Sequence, residues 1–323
     1  MSGAYLIIIK VYRNVRRNFS KMVELDQPIK PQPFLRWAGG KRKLVETLVR
    51  SFPIGFIKST GNFYEPFVGG GALMLNLGDA NSKYYIPGSR LIINDSNPDL
   101  IAAYQVIQDI PEKLINVLIK ISQDKTKNEF LRIRAEKPKN EIMRAARFIY
   151  LNKTCFNGLW RVNSKGQFNV PWGKLKNPRI FDEENIMAVS ARLKDATITC
   201  CSYQTALEKS SKGDLVYLDP PYIPLSSSAS FSKYAKEDFG ILDQYALSGV
   251  IDGLTSKGVQ VILSNSDTSL TRKIFGNSLS LHQISVARTI SANASSRKPV
   301  NEVIGVNFSI ASSSQLHNLK IVS

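Results

Sequence analysis

Asp214-Leu-Val-Tyr-Leu-Asp-Pro-Pro-Tyr222 is a short apolar run, Leu215 to Leu218, bounded by an acid and two prolines. Such a run predicts a buried strand. Pro220 and Pro221 fix φ and have no N–H to give to a sheet ladder, so the strand must stop there. Presented at its end are a carboxylate (Asp219), a carbonyl (Pro220) and a ring (Tyr222). That set suits a flat base with an exocyclic amine, offering two acceptors for two N–H donors and a ring for stacking. Alone, the tetrapeptide also fits a plain proline turn with Asp219 as a cap and Tyr222 packed. The segments around it decide between these.

Working outward, Phe34-Leu-Arg-Trp-Ala-Gly-Gly-Lys41 sets two glycines between an aromatic plate, Trp37, and a cation, Lys41. The glycines let the backbone approach a ligand closely. Asn62 to Asn76 reads as a strand, a glycine turn and a helix start, with Gly69 and Gly71 where the chain must turn tightly. Arg90-Leu-Ile-Ile-Asn-Asp95 follows as a second strand ending in an acid, 24 residues after Gly71. That is close to the ~20-residue spacing at which an acid meets a ribose hydroxyl, and it points to a nucleoside cofactor over a plain βαβ core.

The chain of 323 residues carries a net charge of +17. Residues 1–43 contribute +8 and residues 125–179 contribute +11, so the remainder nets −2. Charge gathered into two segments implies a polyanionic partner more than general solubility. The three cysteines, Cys155, Cys200 and Cys201, form no disulfide framework, and His282 and His317 lie far from them. No metal site is expected, and a reducing cytoplasm fits.

Residues 1–33 read as a basic extension. Its apolar run Tyr5 to Ile9 is too short to span a membrane, and the basic residues follow it, the wrong order for a secretory signal. Met22 is a candidate alternative start, and deleting residues 1–21 is expected to leave activity intact. Residues 99–153 read as helical; Ile142, Ala145, Ala146 and Ile149 share one face, and Arg144 and Arg147 turn away as a candidate phosphate surface. From Asn157 to Gly173 the pattern changes to a hairpin turning at Ser164-Lys-Gly166. Arg161, Asn163, Lys165, Gln167 and Asn169 alternate along it; Arg reads guanine edges, and Asn or Gln reads adenine edges. Helices are expected over 184–193 and 241–256, and strands over 197–200, 258–264, 284–290 and 303–308. The polar stretch 223–240 suits a lid carrying Lys233 and Lys236.

Together, FLRWAGGK, EPFVGGGALMLN, NDSNPDLI, YLNKTCFNGLWRVNSKGQFNVPWG, VYLDPPYIPLSSSASFSKY and SNSDT resemble the blocks of the Dam-type DNA adenine-N6 methyltransferases, in the family's order. The resemblance covers residues 34 to about 309. It implies an α/β fold: a Rossmann-like sheet with one antiparallel strand and an inserted helical and β-hairpin recognition domain. The expected division is 1–33 as extension, 34–98 with 190–315 as catalytic domain, and 99–189 as target recognition domain. By resemblance, Trp37, Ala38, Gly39, Lys41, Phe67, Gly69, Gly71, Asp95 and Asp219 bind S-adenosylmethionine. Asn157, Leu159, Arg161, Asn163 and Pro171 form the DNA-reading hairpin for GATC, with Arg161 the guanine reader. Arg36 stands where some members carry a lysine that contacts the outer base pair. Apart from the resemblance, Lys233 in its polar stretch and Arg297 and Lys298 in a polar loop are expected as further DNA contacts.

The implied activity is site-specific methylation of adenine N6 in duplex DNA, with the adenine flipped into the pocket of Asp219, Pro220 and Tyr222. A monomer is expected, and a cognate restriction endonuclease is a compatible partner. Rival readings are a cytosine-N4 or RNA-base methyltransferase, and a DNA-binding protein using the fold as an inactive scaffold. Asp before Pro-Pro-Tyr, rather than Ser or Asn, favours adenine.

Overall fold

A computed structural model of the chain describes residues 29–78, 82–224, 239–286, 300–310 and 320–321. The central run forms β4, Leu215–Leu218, with all four residues buried. A strand covered on both faces needs no polar alternation, which is why it reads as a continuous apolar run. It lies between β1, Phe63–Glu65, and β5, Gln260–Ser266, parallel to both. Beyond β1 come β2, Leu91–Asn94, and β3, Thr197–Thr199, also parallel. Beyond β5 lie β6, Ser280–Val286, β7, Val300–Val306, and β8, Lys320–Ile321. Among the described residues the sheet has eight strands, in the order β3-β2-β1-β4-β5-β7-β6-β8.

The parallel half matches the Rossmann-like expectation. β7 inserts antiparallel between β5 and β6, and the two-residue β8 adds a second antiparallel strand at the edge. The last long strands begin earlier than the sequence suggests, at Ser280 and Val300. Their ends are set by each other, Ser280 opposite Val306 and Val286 opposite Val300, and alternation within one strand does not reveal where its partner stops.

Side chains of β4 alternate between two cores, as the pleat requires. Leu215 and Tyr217 join Phe63, Tyr104, Phe148 and Ile262 in one. Val216 and Leu218 join Leu247, Ile251, Leu263 and Phe275 in the other, under the helices Ile241–Ser256 and Ser269–Phe275. The chain runs outward through β1, β2 and β3, then returns to β4 on the other side of β1. The crevice between the carboxyl ends of β1 and β4 is therefore a topological switch point, where open α/β sheets bind ligands.

Between β2 and β3 the chain inserts the helices Pro98–Asp109, Pro111–Ile121, Lys127–Ala135 and Glu141–Thr154, then a hairpin, then the helix Glu183–Leu193. In Glu141–Thr154 the face with Ala145, Ala146 and Ile149 is buried, as its periodicity implies. Its arginines are also engaged within the fold. Arg144 Nε lies 2.6 Å from Asp99 Oδ1. Arg147 donates to the carbonyls of Ile133 and Arg134, at 2.9 and 2.6 Å, closing the end of Lys127–Ala135. Both partners come from other helices, which the sequence of this helix cannot indicate.

Candidate active site and nucleic-acid interface

Three parallel strands deliver their ends to one edge of the sheet. β1 runs through Glu65-Pro-Phe67 into the glycine turn, where Gly69 and Gly71 take φ of +46° and +66°. A Cβ on Gly69 would stand 2.7 Å from Trp37 Cδ1, and one on Gly71 2.6 Å from the Tyr104 hydroxyl, so only glycine fits either position. β2 ends beside Asp95, whose Oδ2 accepts from Gly69 N at 3.1 Å and whose Oδ1 accepts from Asn97 N at 3.0 Å. Burial raises its pKa, and backbone amides pull it back. The turn and the acid are thus one unit, with carboxylate lone pairs left for a ribose hydroxyl. Phe67 lies 5.2 Å from Tyr203 and 5.7 Å from Phe239. The buried Tyr203 hydroxyl has no hydrogen-bond partner among the described residues. Aromatic rings, an orphaned hydroxyl and a tethered carboxylate are a donor set that fits the purine and ribose of a nucleoside.

β4 delivers Asp219. Lys41 Nζ lies 2.8 Å from Asp219 Oδ1, donates to the Gly39 carbonyl at 2.6 Å, and sits 4.6 Å from the centroid of the Tyr222 ring. Lys41 is buried although the neighbouring Ala38, Gly39 and Gly40 are exposed. The two form a close ion pair, and Lys41 and the Tyr222 hydroxyl both favour the ionised carboxylate. Burial raises the Asp219 pKa, Lys41 opposes this, and the carboxylate of Glu302 adds to it.

The proline turn is held from beneath. Gln244 Nε2 donates to the Pro221 carbonyl at 2.7 Å, and Asn265 Oδ1 accepts from Ile223 N at 3.1 Å. Asn265 Nδ2 joins these two supports by donating to Gln244 Oε1 at 3.3 Å. The Pro221 carbonyl is thereby taken, while that of Pro220 accepts no hydrogen bond from the described residues. Tyr222 donates its hydroxyl to Glu302 Oε2 at 3.0 Å. Glu65, at the end of β1, is fully enclosed and accepts from Met74 N at 3.1 Å. Burial and the nearby Asp219 push its pKa up to about 8.

The hairpin forms as its sequence suggests. Val162 bridges Phe168, Asn169 N donates to Arg161 O at 3.0 Å, and Asn163 N donates to Gln167 O at 2.9 Å. Trp160 packs between Phe148 and Phe168, with ring centroids 4.2 and 4.6 Å away. Arg161, Asn163, Lys165, Gln167 and Pro171 are exposed, as are the apolar Phe156, Leu159 and Val162. Arg161 Nε donates to Asn169 Oδ1 at 2.8 Å across the hairpin. Asn157, at the entrance, takes φ of 54°, a left-handed conformation that asparagine tolerates.

The exposed Arg36 belongs to the glycine loop in sequence but lies beside the hairpin in space. The buried Asn152 accepts from Arg36 N at 2.8 Å and donates to the carbonyls of Arg36 and Gly158 at 2.7 and 2.9 Å. Trp37 in turn packs on Phe148, 6.2 Å between centroids. Cofactor loop and hairpin therefore share one scaffold. Lys153 is pushed down to about 8 by burial and by Arg36, Arg42 and Arg179. Cations that repel one another in this way mark a place that an anion would relieve.

Lys233, Arg297 and Lys298, together with Lys236 and residues 1–28, lie outside the described residues. The sequence reading missed Glu65, Asn152, Tyr203, Gln244, Asn265 and Glu302. An acid closing the apolar run before the glycine turn could have flagged Glu65; the others act across the fold and leave no local pattern. Among the described residues, no helix is long and apolar enough to cross a membrane, and no three His, Cys, Asp or Glu gather as metal ligands.

A sheet whose antiparallel strand enters between β5 and β6, with an acid-proline turn facing a glycine turn across the switch point, belongs with the methyltransferases. Residues 37–290 match the model of the D12 class N6 adenine-specific DNA methyltransferases, and the chain belongs to that family. It is 38% identical to the Type II methyltransferase M1.LlaDCHI of Lactococcus lactis subsp. cremoris, over 86% of this chain and 95% of that protein. It is 37% identical to the Type II methyltransferase M.MjaIII of Methanocaldococcus jannaschii, over 86% of this chain and 99% of that one. A DNA adenine methylase of Salmonella typhi is 34% identical, over 86% of this chain and 95% of its own length. The chain is accordingly an adenine-specific DNA methyltransferase acting with a methyl donor. Among the rival readings, the family match goes with adenine in DNA.

Proposed function

We propose that the chain transfers a methyl group from S-adenosylmethionine to N6 of an adenine flipped out of duplex DNA, at GATC. The observation that carries this is the pair of oxygen acceptors at the tip of β4: the Asp219 carboxylate, paired with Lys41 at 2.8 Å, and the Pro220 carbonyl, which accepts no hydrogen bond from the described residues while that of Pro221 is engaged. Two acceptors side by side match the two N–H bonds of an exocyclic amine.

S-adenosylmethionine bound in the crevice supplies an electrophilic methyl group on a sulfonium. Trp37, Ala38, Gly39, Lys41, Phe67, Gly69, Gly71 and Asp95 form its cradle, with Asp95 on the ribose. The adenine N6 lone pair is delocalised into the ring, so the weak partner is the base. Asp219 and the Pro220 carbonyl each accept one N6–H, which draws the nitrogen toward tetrahedral geometry and aims its lone pair at the methyl. The contribution is positioning plus stabilisation of the charge that develops on N6. Asp219 takes the departing proton. Tyr222 stacks on the extruded base, because a paired adenine hides the reacting atom.

The exposed face of the hairpin enters the DNA, with Arg161 reading a guanine, Asn157, Leu159, Asn163 and Pro171 lining the contact, and Arg36 at the outer base pair. In this reading residues 99–189 form the recognition unit, the chain acts as a monomer in the cytoplasm, and a restriction endonuclease is its counterpart where it serves a restriction–modification pair. The test is tritiated methyl transfer to a GATC duplex, with digestion by a methylation-sensitive nuclease. Asp219→Ala is expected to abolish transfer while duplex binding persists; transfer at the wild-type rate overturns the acceptor assignment. Equal transfer to a duplex lacking GATC overturns the site.

A further inference from the structure

We propose that Glu302 is a positioning residue for methyl transfer: from a neighbouring strand its carboxylate holds the Tyr222 hydroxyl and so sets the plane on which the target base stacks. This rests on the stacking role of Tyr222 proposed above.

Tyr222 has little backbone freedom. Two prolines precede it, and Ile223 N after it is held by Asn265 Oδ1 at 3.1 Å. What remains is rotation about its two side-chain torsions. The Lys41 ammonium, 4.6 Å from the ring centroid, covers one face but does not fix the ring plane, since a cation over a ring attracts without direction in that plane. The hydroxyl is the far end of the lever, and it donates to Glu302 Oε2 at 3.0 Å. Anchoring both ends of the side chain leaves one ring orientation.

Glu302 comes from the rigid part of the sheet. It sits in β7 opposite Ser266 of β5 and Ile284 of β6, so it is paired on both sides. The next position in β5, Asn265, is the one that holds Ile223. Both fixed points of Tyr222 therefore lie on paired strands, in adjacent rows of the ladder. The carboxylate also has a cost, because it faces Asp219 and disfavours ionisation there. Hydrogen bonds to a charged acceptor are stronger than neutral ones, which accounts for a carboxylate at a place where its charge is otherwise unfavourable. Glu302 hydrogen-bonds Tyr222 and reaches Asp219 through charge alone, so removing the Tyr222 hydroxyl separates the two routes.

The test is a double-mutant cycle on the full-length enzyme with Glu302→Ala, Glu302→Gln, Tyr222→Phe and Glu302→Ala/Tyr222→Phe. A GATC duplex with 2-aminopurine at the target adenine reports stacking by fluorescence. Glu302→Ala is expected to lower kcat by roughly tenfold or more, below the ~100-fold that a 1 Å misplacement produces. KM for DNA should change little, and the 2-aminopurine signal should alter. Glu302→Gln, which keeps an acceptor oxygen, should recover most of the rate. In the Tyr222→Phe background, which has no hydroxyl to hold, Glu302→Ala should cause no further loss. An equal loss in both backgrounds overturns the proposal, as does an unchanged kcat in Glu302→Ala. Tyr222→Ala separates the two readings. If it is inactive while Glu302→Ala is fully active, the Glu302 inference fails alone. If Tyr222→Ala itself retains the wild-type rate, the stacking role fails and takes this inference with it.

Discussion

Lys41 Nζ stands 2.8 Å from Asp219 Oδ1, joining the glycine loop to the tip of the central strand. Burial makes an ionised Asp219 unfavourable, and Lys41 is the group that opposes this. The acceptor role requires the ionised form. Activity should therefore be lost as pH falls through the Asp219 pKa, which lies above the ordinary carboxylate value. Lys41→Gln removes the opposing charge, so the pKa rises further and the acidic limb of the kcat profile should move to higher pH. A pH–rate series on both proteins at saturating methyl donor checks this; coincident acidic limbs would separate Lys41 from the ionisation of Asp219.

Glu65 offers a stability test with a definite sign. Its pKa is raised to about 8 in the folded state by burial, from an ordinary value of 4.5. The folded protein then binds more protons than the unfolded chain between those values. Its contribution is fully present below the unfolded pKa and is lost as pH rises through the folded one. The slope from a single proton is at most about 1.4 kcal/mol per pH unit. Glu65→Gln can still accept from Met74 N but does not titrate. Between pH 5 and 8 its unfolding free energy should fall less steeply than that of the wild type, as read by urea denaturation at several pH values.

Asn152 makes three hydrogen bonds that tie Arg36 to the hairpin entrance. Asn152→Ala leaves buried backbone groups unpaired, at a cost of about 1–3 kcal/mol for each group left unsatisfied. A lower melting temperature and weaker discrimination at the outer base pair are both expected. Arg36→Ala should relax the same discrimination with the melting temperature unchanged, because its side chain is exposed. Competition between duplexes differing only at the outer pair, run beside thermal denaturation, distinguishes the two.

Arg161 is held by Asn169 across the hairpin at 2.8 Å. Arg161→Ala should relax choice at one guanine by about 1–3 kcal/mol. Uniform weakening on all sequences would mark it instead as a phosphate contact. Asn169→Ala leaves the guanidinium in place but unaimed, so a smaller loss at the same base is expected. Methylation rates on duplexes substituted at each position of the site provide the measurement.

The locally encoded features were legible. β4 falls where the apolar run lies, the glycine turn and Asp95 close on each other, and the hairpin turns near its glycine, because in each case the signal is a short pattern bounded by residues that break it. Less legible was what each charged residue faces. Arg144 and Arg147 read as a phosphate surface from helical spacing, yet the one pairs with Asp99 and the other closes a neighbouring helix. The strands β6 and β7 fit the same period as expected but start earlier, since pairing sets their ends.

By itself the sequence determined the sheet-forming runs, the turns that end them and the residue types presented there, since backbone preference and hydrophobic period act over a few residues. Only the tertiary structure decided which of those residues meet. Tyr222 and Glu302 are 80 positions apart and Arg36 and Asn152 are 116 apart. A side-chain hydrogen bond between such segments depends on sheet order and helix packing, and it leaves no periodic trace in either segment.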